Sequence, residues 1–297
     1  MKWKYTWLAL LVAPWLLTVS LPAAATAIDR WDGGNCLTGP ALQTSCTDTV
    51  TDPVASNGPT VTYSAISDTD SLTGVTGGTR TLAAAYVGNY SPNLGVTSRS
   101  GPNTAATGCS VITTQECQTP PEDAMDNVGN SEFMLLSFAS NVTLTDVQLG
   151  AHNAGILDSD ITVLAYITGG APTLAGRSYS GLASGLQGWT LIGNYADVWD
   201  TSAAVSGFGV QTHTVAINSG NFSSSYWLIG AYNNVFGSVS SGGVGASLTA
   251  ANDYVKLLAV YGAQGLINPN ATPEPSTLLL MAIALFGITA LRRRRVI

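Results

Sequence analysis

Val61, Tyr63 and Ala65 alternate with Thr62 and Ser64, so that one face of this stretch is apolar and the other polar. A period of two is the signature of a half-buried strand. Comparable segments follow at Phe133 to Phe138, Val142 to Leu149, Ile161 to Thr168, Trp189 to Tyr195, His213 to Ile217, Tyr226 to Tyr232 and Tyr254 to Tyr261. Tyr226-Trp227-Leu228-Ile229-Gly230-Ala231-Tyr232 is apolar on both faces and reads as a central strand covered above and below. Gly169-Gly170-Ala171-Pro172 and Gly242-Gly243 punctuate these runs as turns. Many short strands separated by Gly, Ser and Asn predict an all-β domain, a β-sandwich of jelly-roll type, with closure into a barrel as the alternative. The Gly/Ser/Thr/Pro-rich stretch from Pro92 to Asp123 predicts a long loop.

Both ends of the chain break this pattern and read as targeting segments. Residues 1–27 have Lys2 and Lys4 before an apolar core, then Pro22 and the small-x-small site Ala25-Thr26-Ala27. That order predicts a signal peptide handled by signal peptidase and the secretion machinery. Residues 28–272 form the predicted exported domain. Residues 273–297 begin with Pro273-Glu274-Pro275-Ser276-Thr277, continue through an apolar run and end with Arg292, Arg293, Arg294, Arg295 and two more residues. The prolines set the start of a helix and Ser276 is available as its cap. Residues 277–291 would span roughly 22 Å at ~1.5 Å per residue, short for a bilayer core of ~30 Å unless the arginine stems snorkel. Four arginines place their end on the cytoplasmic side and everything before Pro273 outside it.

The tail of Pro-Glu-Pro, apolar helix and arginine cluster resembles the sorting signal of the PEP-CTERM proteins. The resemblance implies recognition of Pro273, Glu274 and Pro275 by exosortase, a membrane-embedded cysteine transpeptidase, with removal of the tail and transfer of the body to the surface. It also implies a Gram-negative source that makes extracellular polysaccharide or flocs. A second resemblance covers roughly residues 86–166. Leu94-Gly95-Val96-Thr97, Ala124-Met125-Asp126-Asn127-Val128-Gly129, Glu132 to Phe138 and Asp158-Ser159-Asp160-Ile161 are similar to one sub-group of exosortase-dependent surface proteins. That sub-group often has His two places before the Asp of the first turn, where this chain has Ala124. No activity follows from membership.

Charge narrows the functional classes. Charged residues are only 10 % of the chain, against a typical ~25 %. Between the end segments, five basic residues face seventeen acids, a net of −12. Such a body repels phosphate backbones, which excludes nucleic acid as a partner and suits divalent cations. Cys36, Cys46, Cys109 and Cys117 are even in number in an exported chain, which favours disulfides. Of the three pairings, Cys36–Cys46 with Cys109–Cys117 closes the shortest loops. A zinc site is the rival, without a Cys-x-x-Cys spacing to support it.

The search for catalytic chemistry finds little. There is no Gly-x-Ser-x-Gly, and His152 and His213 are the only histidines. His213 sits in an alternating strand and His152 in a glycine-flanked turn. Asp123, Asp126 and Glu132, or Asp158 and Asp160, could serve a glycosidase, which needs two acids ~5–9.5 Å apart. Acids near turns more commonly cap backbone N–H groups. Asp126, Asn127, Asp158 and Asp160 are candidate calcium ligands, because a hard cation needs several oxygens and a β fold can gather turns at one end. Neither segment is an EF-hand loop. Trp189, Trp199 and Tyr90 are candidates for stacking on sugars, with core filling as the alternative. The sequence therefore predicts no catalytic residue and no obligate cofactor. It describes a surface or extracellular-matrix protein with extracellular polysaccharide as candidate ligand; the alternative is a secreted, glycosidase-like enzyme.

Overall fold

The computed structural model describes residues 28–51, 58–68, 80–90, 93–99, 124–127, 129–150, 158–198, 213–243, 247–250 and 253–264. The expected signal peptide with Ala25 and Ala27, the Cys109–Cys117 pair, His152, Trp199, and the tail with Pro273, Glu274, Pro275, helix 277–291 and Arg292 to Arg295 lie outside the described residues. Among the described residues no helix is long and apolar enough to cross a membrane.

The chain begins with β1 (Asp29–Trp31), helix α1 (Gly34–Leu37), β2 (Leu42–Gln43), β3 (Ser45–Asp48), β4 (Val61–Asp68), β5 (Leu82–Tyr90) and β6 (Asn93–Thr97). It continues through β7 (Met125–Asp126), β8 (Glu132–Gly150), β9 (Ile161–Tyr166), α2 (Tyr179–Ala183), β10 (Trp189–Ala196), β11 (His213–Ala216) and β12 (Ser224–Ala231). A 3₁₀ turn at Asn234–Phe236, β13 (Ser240–Gly243) and β14 (Tyr254–Gln264) complete it. The all-β expectation holds. The jelly-roll sandwich is not what the ladders show: β14, β6, β5, β4 and β8 pair in turn, and β8 pairs back to β14. The result is a closed five-stranded barrel, from which β12, β9, β10 and β13 continue the same sheet.

Strand β8 makes the closure possible. Sequence patterning suggests two strands here, but the chain runs through Ser140 and Asn141 as one strand of 19 residues. Its first half pairs with β4 (Ala65↔Met134) and β12 (Leu228↔Leu135). Its second half pairs with β14 (Val260↔Val147) and β11 (Val215↔Val147). Two partners on each half leave no open edge on β8, which limits edge-to-edge association. Register shifts at Leu257/Ala259 and Tyr261/Gly262 bend β14 around it. Gly262 is required there, because a Cβ would sit 2.5 Å from the Thr143 carbonyl oxygen.

Two apolar clusters hold the architecture. The larger includes Val61, Tyr63, Met134, Leu136, Val147, Trp227 and Val260, all at most 1 % exposed. Trp31 meets Phe138 edge-on at 4.9 Å, and its indole N–H donates to the Pro59 carbonyl at 2.8 Å. The smaller cluster lies beneath α2, where Phe133, Tyr179 and Phe236 pack with centroids 5.0 to 6.1 Å apart. A Cys36–Cys46 disulfide ties α1 to β3, as expected. Two parts of the sequence expectation change. The start of the anticipated loop from Pro92 is strand β6, buried at every position. Trp189 is 2 % exposed and packs at a tilt against Tyr166, with ring centroids 5.2 Å apart, so it fills the core and offers no face to a sugar.

Candidate functional site

Antiparallel pairing puts the start of one strand beside the end of its neighbour, and several such junctions coincide at one end of the sheet. Asp158 and Asp160 precede β9, Asp197 follows β10, Asn127 follows β7 and Asp253 precedes β14. Asp158 and Asp253 form an isolated parallel bridge. One oxygen each from Asp158, Asp160 and Asp197 lie within 4.8 Å of one another. Asp160 and Asp253 are fully buried.

Hydrogen bonds lash these segments together. Both oxygens of Asp160 accept from backbone N–H groups, Asp197 at 2.6 Å and Thr249 at 2.7 Å. Asp253 accepts from the Asp160 N–H at 3.0 Å and from the Asn127 amide, while the Asn127 oxygen accepts the Asp253 N–H at 3.0 Å. The Thr249 hydroxyl donates to Asp158, and the Asp158 side chain accepts the Ser159 N–H at 2.8 Å. Asp197 adopts φ 46, the left-handed region that Asp tolerates better than most residues.

The electrostatics follow from burial. Burial, opposed by the two backbone donors and reinforced by Asp158 and Asp197, raises the Asp160 carboxyl to about 6. Burial, followed by the charges of Asp160 and Asp158, raises Asp253 to about 9. The charges that push both groups up are carboxylates, while Arg30 pairs with Asp32 and Arg80 with Asp68. Carboxylates gathered this closely repel one another, and a divalent cation would compensate them.

Of the four predicted calcium ligands, the structure brings Asp158, Asp160 and Asn127 to this end of the sheet. Asp126, the fourth, is fully buried in the β7–β14 pairing, its backbone N–H 3.4 Å from a Glu132 oxygen, and lies outside the group formed by Asp158, Asp160 and Asp197. Asp197 and Asp253 are acids at this end of the sheet that the sequence reading did not name. Their only sequence signal is an acid directly at a strand end. His213 is half-buried opposite Leu149 in the β11–β8 ladder, the structural position expected of it.

The sorting tail is the second candidate, and it matches a known family model. A search of curated proteins finds no match to the chain. Residues 271–295 match the family model of the PEP-CTERM protein-sorting motif, the segment that holds Pro273, Glu274, Pro275 and Arg292 to Arg295, so the chain carries a PEP-CTERM sorting signal.

Proposed function

We propose that this is a non-catalytic surface or extracellular-matrix protein whose β barrel is the displayed part. The PEP-CTERM motif over residues 271–295 carries the reading, because it marks an exported chain that exosortase sorts to the cell surface. In this reading residues 1–27 are removed on export, and helix 277–291 holds the chain in the inner membrane until exosortase acts at the Pro273-Glu274-Pro275 signal. Extracellular polysaccharide is the candidate ligand of the displayed barrel. The use of both Asp160 oxygens and both Asp253 oxygens as hydrogen-bond acceptors supports a structural role for these acids over the glycosidase alternative. The test is the intact mass and location of wild type and Glu274→Ala in a host with the sorting enzyme. Wild type should lose the Arg292 to Arg295 tail while the variant stays unprocessed in the membrane. A tail retained in both would withdraw the sorting reading.

The carboxylate cluster favours a second element, a structural divalent cation, with calcium as the ion that suits an all-oxygen donor set. Asp158, Asp160, Asp197 and Asp253 would hold it. Its chemistry there is charge compensation, pinning the strand ends that precede β9 and β14 and follow β10. Calorimetric titration of the processed protein with Ca²⁺ should release or absorb heat and raise the melting temperature; neither effect in wild type would remove the ion.

A further inference from the structure

Strands β4, β8, β12 and β9 lie side by side, with β3 continuing the sheet beyond β4. Part of one face of this sheet is closed, where Phe133, Leu164 and Leu228 are buried with Tyr179 and Leu182 of α2. Helix α2 has only five residues, and beyond it the face changes character. The registers there set a row across the strands: Thr47 pairs with Thr62, Thr62 with Ser137, and Ser137 with Tyr226. Tyr166 of β9 completes it, its ring centroid 6.1 Å from that of Tyr226 and the two planes at 85°. Directly paired residues point to the same side of a sheet, so these hydroxyls and rings share one surface. Thr47 is exposed and the other four are half-buried. With strands ~4.8 Å apart, the row is about 19 Å long.

The two tyrosines are held in place from below. The β12–β8 register shifts between Ser224 and Tyr226, and a bulge of this kind re-aims a side chain. The Ser224 hydroxyl donates to the Tyr166 carbonyl at 2.6 Å and accepts the Tyr226 N–H at 2.9 Å, which ties together the backbone beneath both rings. At the other end of the row the Thr47 and Thr62 hydroxyls are hydrogen-bonded to each other at 3.0 Å. Hydroxyls that both donate and accept suit the hydroxyls of a sugar, and an aromatic ring suits its C–H face. None of the five side chains is cationic, so the row offers no partner to a uronate or sulfate, and the net charge of −12 on the body repels such polymers. We propose that this row binds an uncharged extracellular polysaccharide, laid across the strands from the Tyr166–Tyr226 corner along Ser137, Thr62 and Thr47. This rests on the polysaccharide ligand of the proposed function and gives that ligand a face and a charge class.

The experiment is affinity electrophoresis of the processed protein in native gels containing dextran, soluble starch, xyloglucan or galactomannan, with alginate as the anionic comparison. Wild type should be retarded by at least one uncharged glycan and not by alginate. Tyr226→Ala should weaken that retardation about tenfold. Ser137→Gln, which puts bulk in the middle of the row and removes no apolar contact, should do the same and keeps the test open if the tyrosine variant is unstable. Undiminished retardation of folded variants overturns the row and leaves the polysaccharide reading standing, as does retardation by alginate alone. A dimer seen in sedimentation velocity and lost in Ser137→Gln assigns the face to a second copy and overturns the glycan. Wild type that ignores every gel, yet sediments with its host's extracellular polysaccharide, overturns the row alone; failure in both assays withdraws the polysaccharide reading with it.

Discussion

Raising the pH in the presence of a chelator should weaken the fold, and the carboxylate cluster sets the size of the effect. Asp253 ionises near 3.8 when unfolded, but burial and the charges of Asp160 and Asp158 lift it to about 9 in the fold. Between those values the folded chain holds a proton that the unfolded chain has released. Stability from this group is therefore complete below the lower value, declines as pH rises, and is gone above about 9. The slope is at most ~1.4 kcal/mol per pH unit, so moving from pH 5 to pH 8 costs up to about 4 kcal/mol. Asp160, raised to about 6, adds to the fall between pH 5 and 6. The two acids titrate as a coupled unit and local relaxation softens the penalty, so a loss of about 2–4 kcal/mol is expected. Urea unfolding of the processed protein, followed by tryptophan fluorescence, measures it. Asp253→Asn should flatten the profile at the expense of one hydrogen bond to Asn127. Calcium should restore stability at pH 8, because the ion favours the ionised carboxylates; a concentration 100 times Kd contributes about 2.7 kcal/mol. A level profile in chelator, or an equal fall in Asp253→Asn, would refute the argument from burial and carboxylate repulsion. A midpoint at pH 8 indifferent to calcium would refute the cation.

Three other perturbations probe the barrel and its reading. Replacing Cys36 and Cys46 with serine opens a loop closed across a separation of 10 residues and should cost about 3 kcal/mol, read as a lowered urea midpoint; an unchanged midpoint would deny the disulfide a stabilising role. Gly262→Ala drives a methyl into the Thr143 carbonyl and should destabilise by about 1–3 kcal/mol, with a neutral result showing that β14 and β8 are not so closely apposed. Trp189→Ala should cost about 3–5 kcal/mol through lost packing on Tyr166. A Trp189→Ala protein that melts like wild type yet no longer sediments with extracellular polysaccharide would restore that ring as a sugar contact.

Different levels of the structure were legible to different degrees. The first half of β4 alternates, with Val61, Tyr63 and Ala65 buried and Thr62 and Ser64 only half-buried, which made it visible, whereas its last four residues are all buried. β5 was not, since Leu82-Ala83-Ala84-Ala85 carries too little contrast in size and polarity to show a period. β8 read as two strands because Ala139, Ser140 and Asn141 interrupt its apolar pattern, where its pairing with β12 also shifts register. Three of the five residues of the candidate site were legible: Asp158, Asp160 and Asn127 stand in turn-like segments, whereas Asp197 and Asp253 look like any acid at a strand boundary.

The destination of the protein is written contiguously, as Pro-Glu-Pro, an apolar run and arginines within 25 residues, because a sorting enzyme reads a linear segment. Strand character is likewise local, a matter of which side chains alternate. Closure and the carboxylate cluster belong to the tertiary structure. Which edge of β8 receives β14 depends on register between segments more than a hundred residues apart, as in the Tyr261 hydroxyl donating to Gln148 across 113 positions. Asp253 reaches Asp160 across 93 positions and Asn127 across 126, and no local pattern encodes those distances. Antiparallel ladders bring those strand ends together, and burial at that meeting point raises the acids far above their ordinary range.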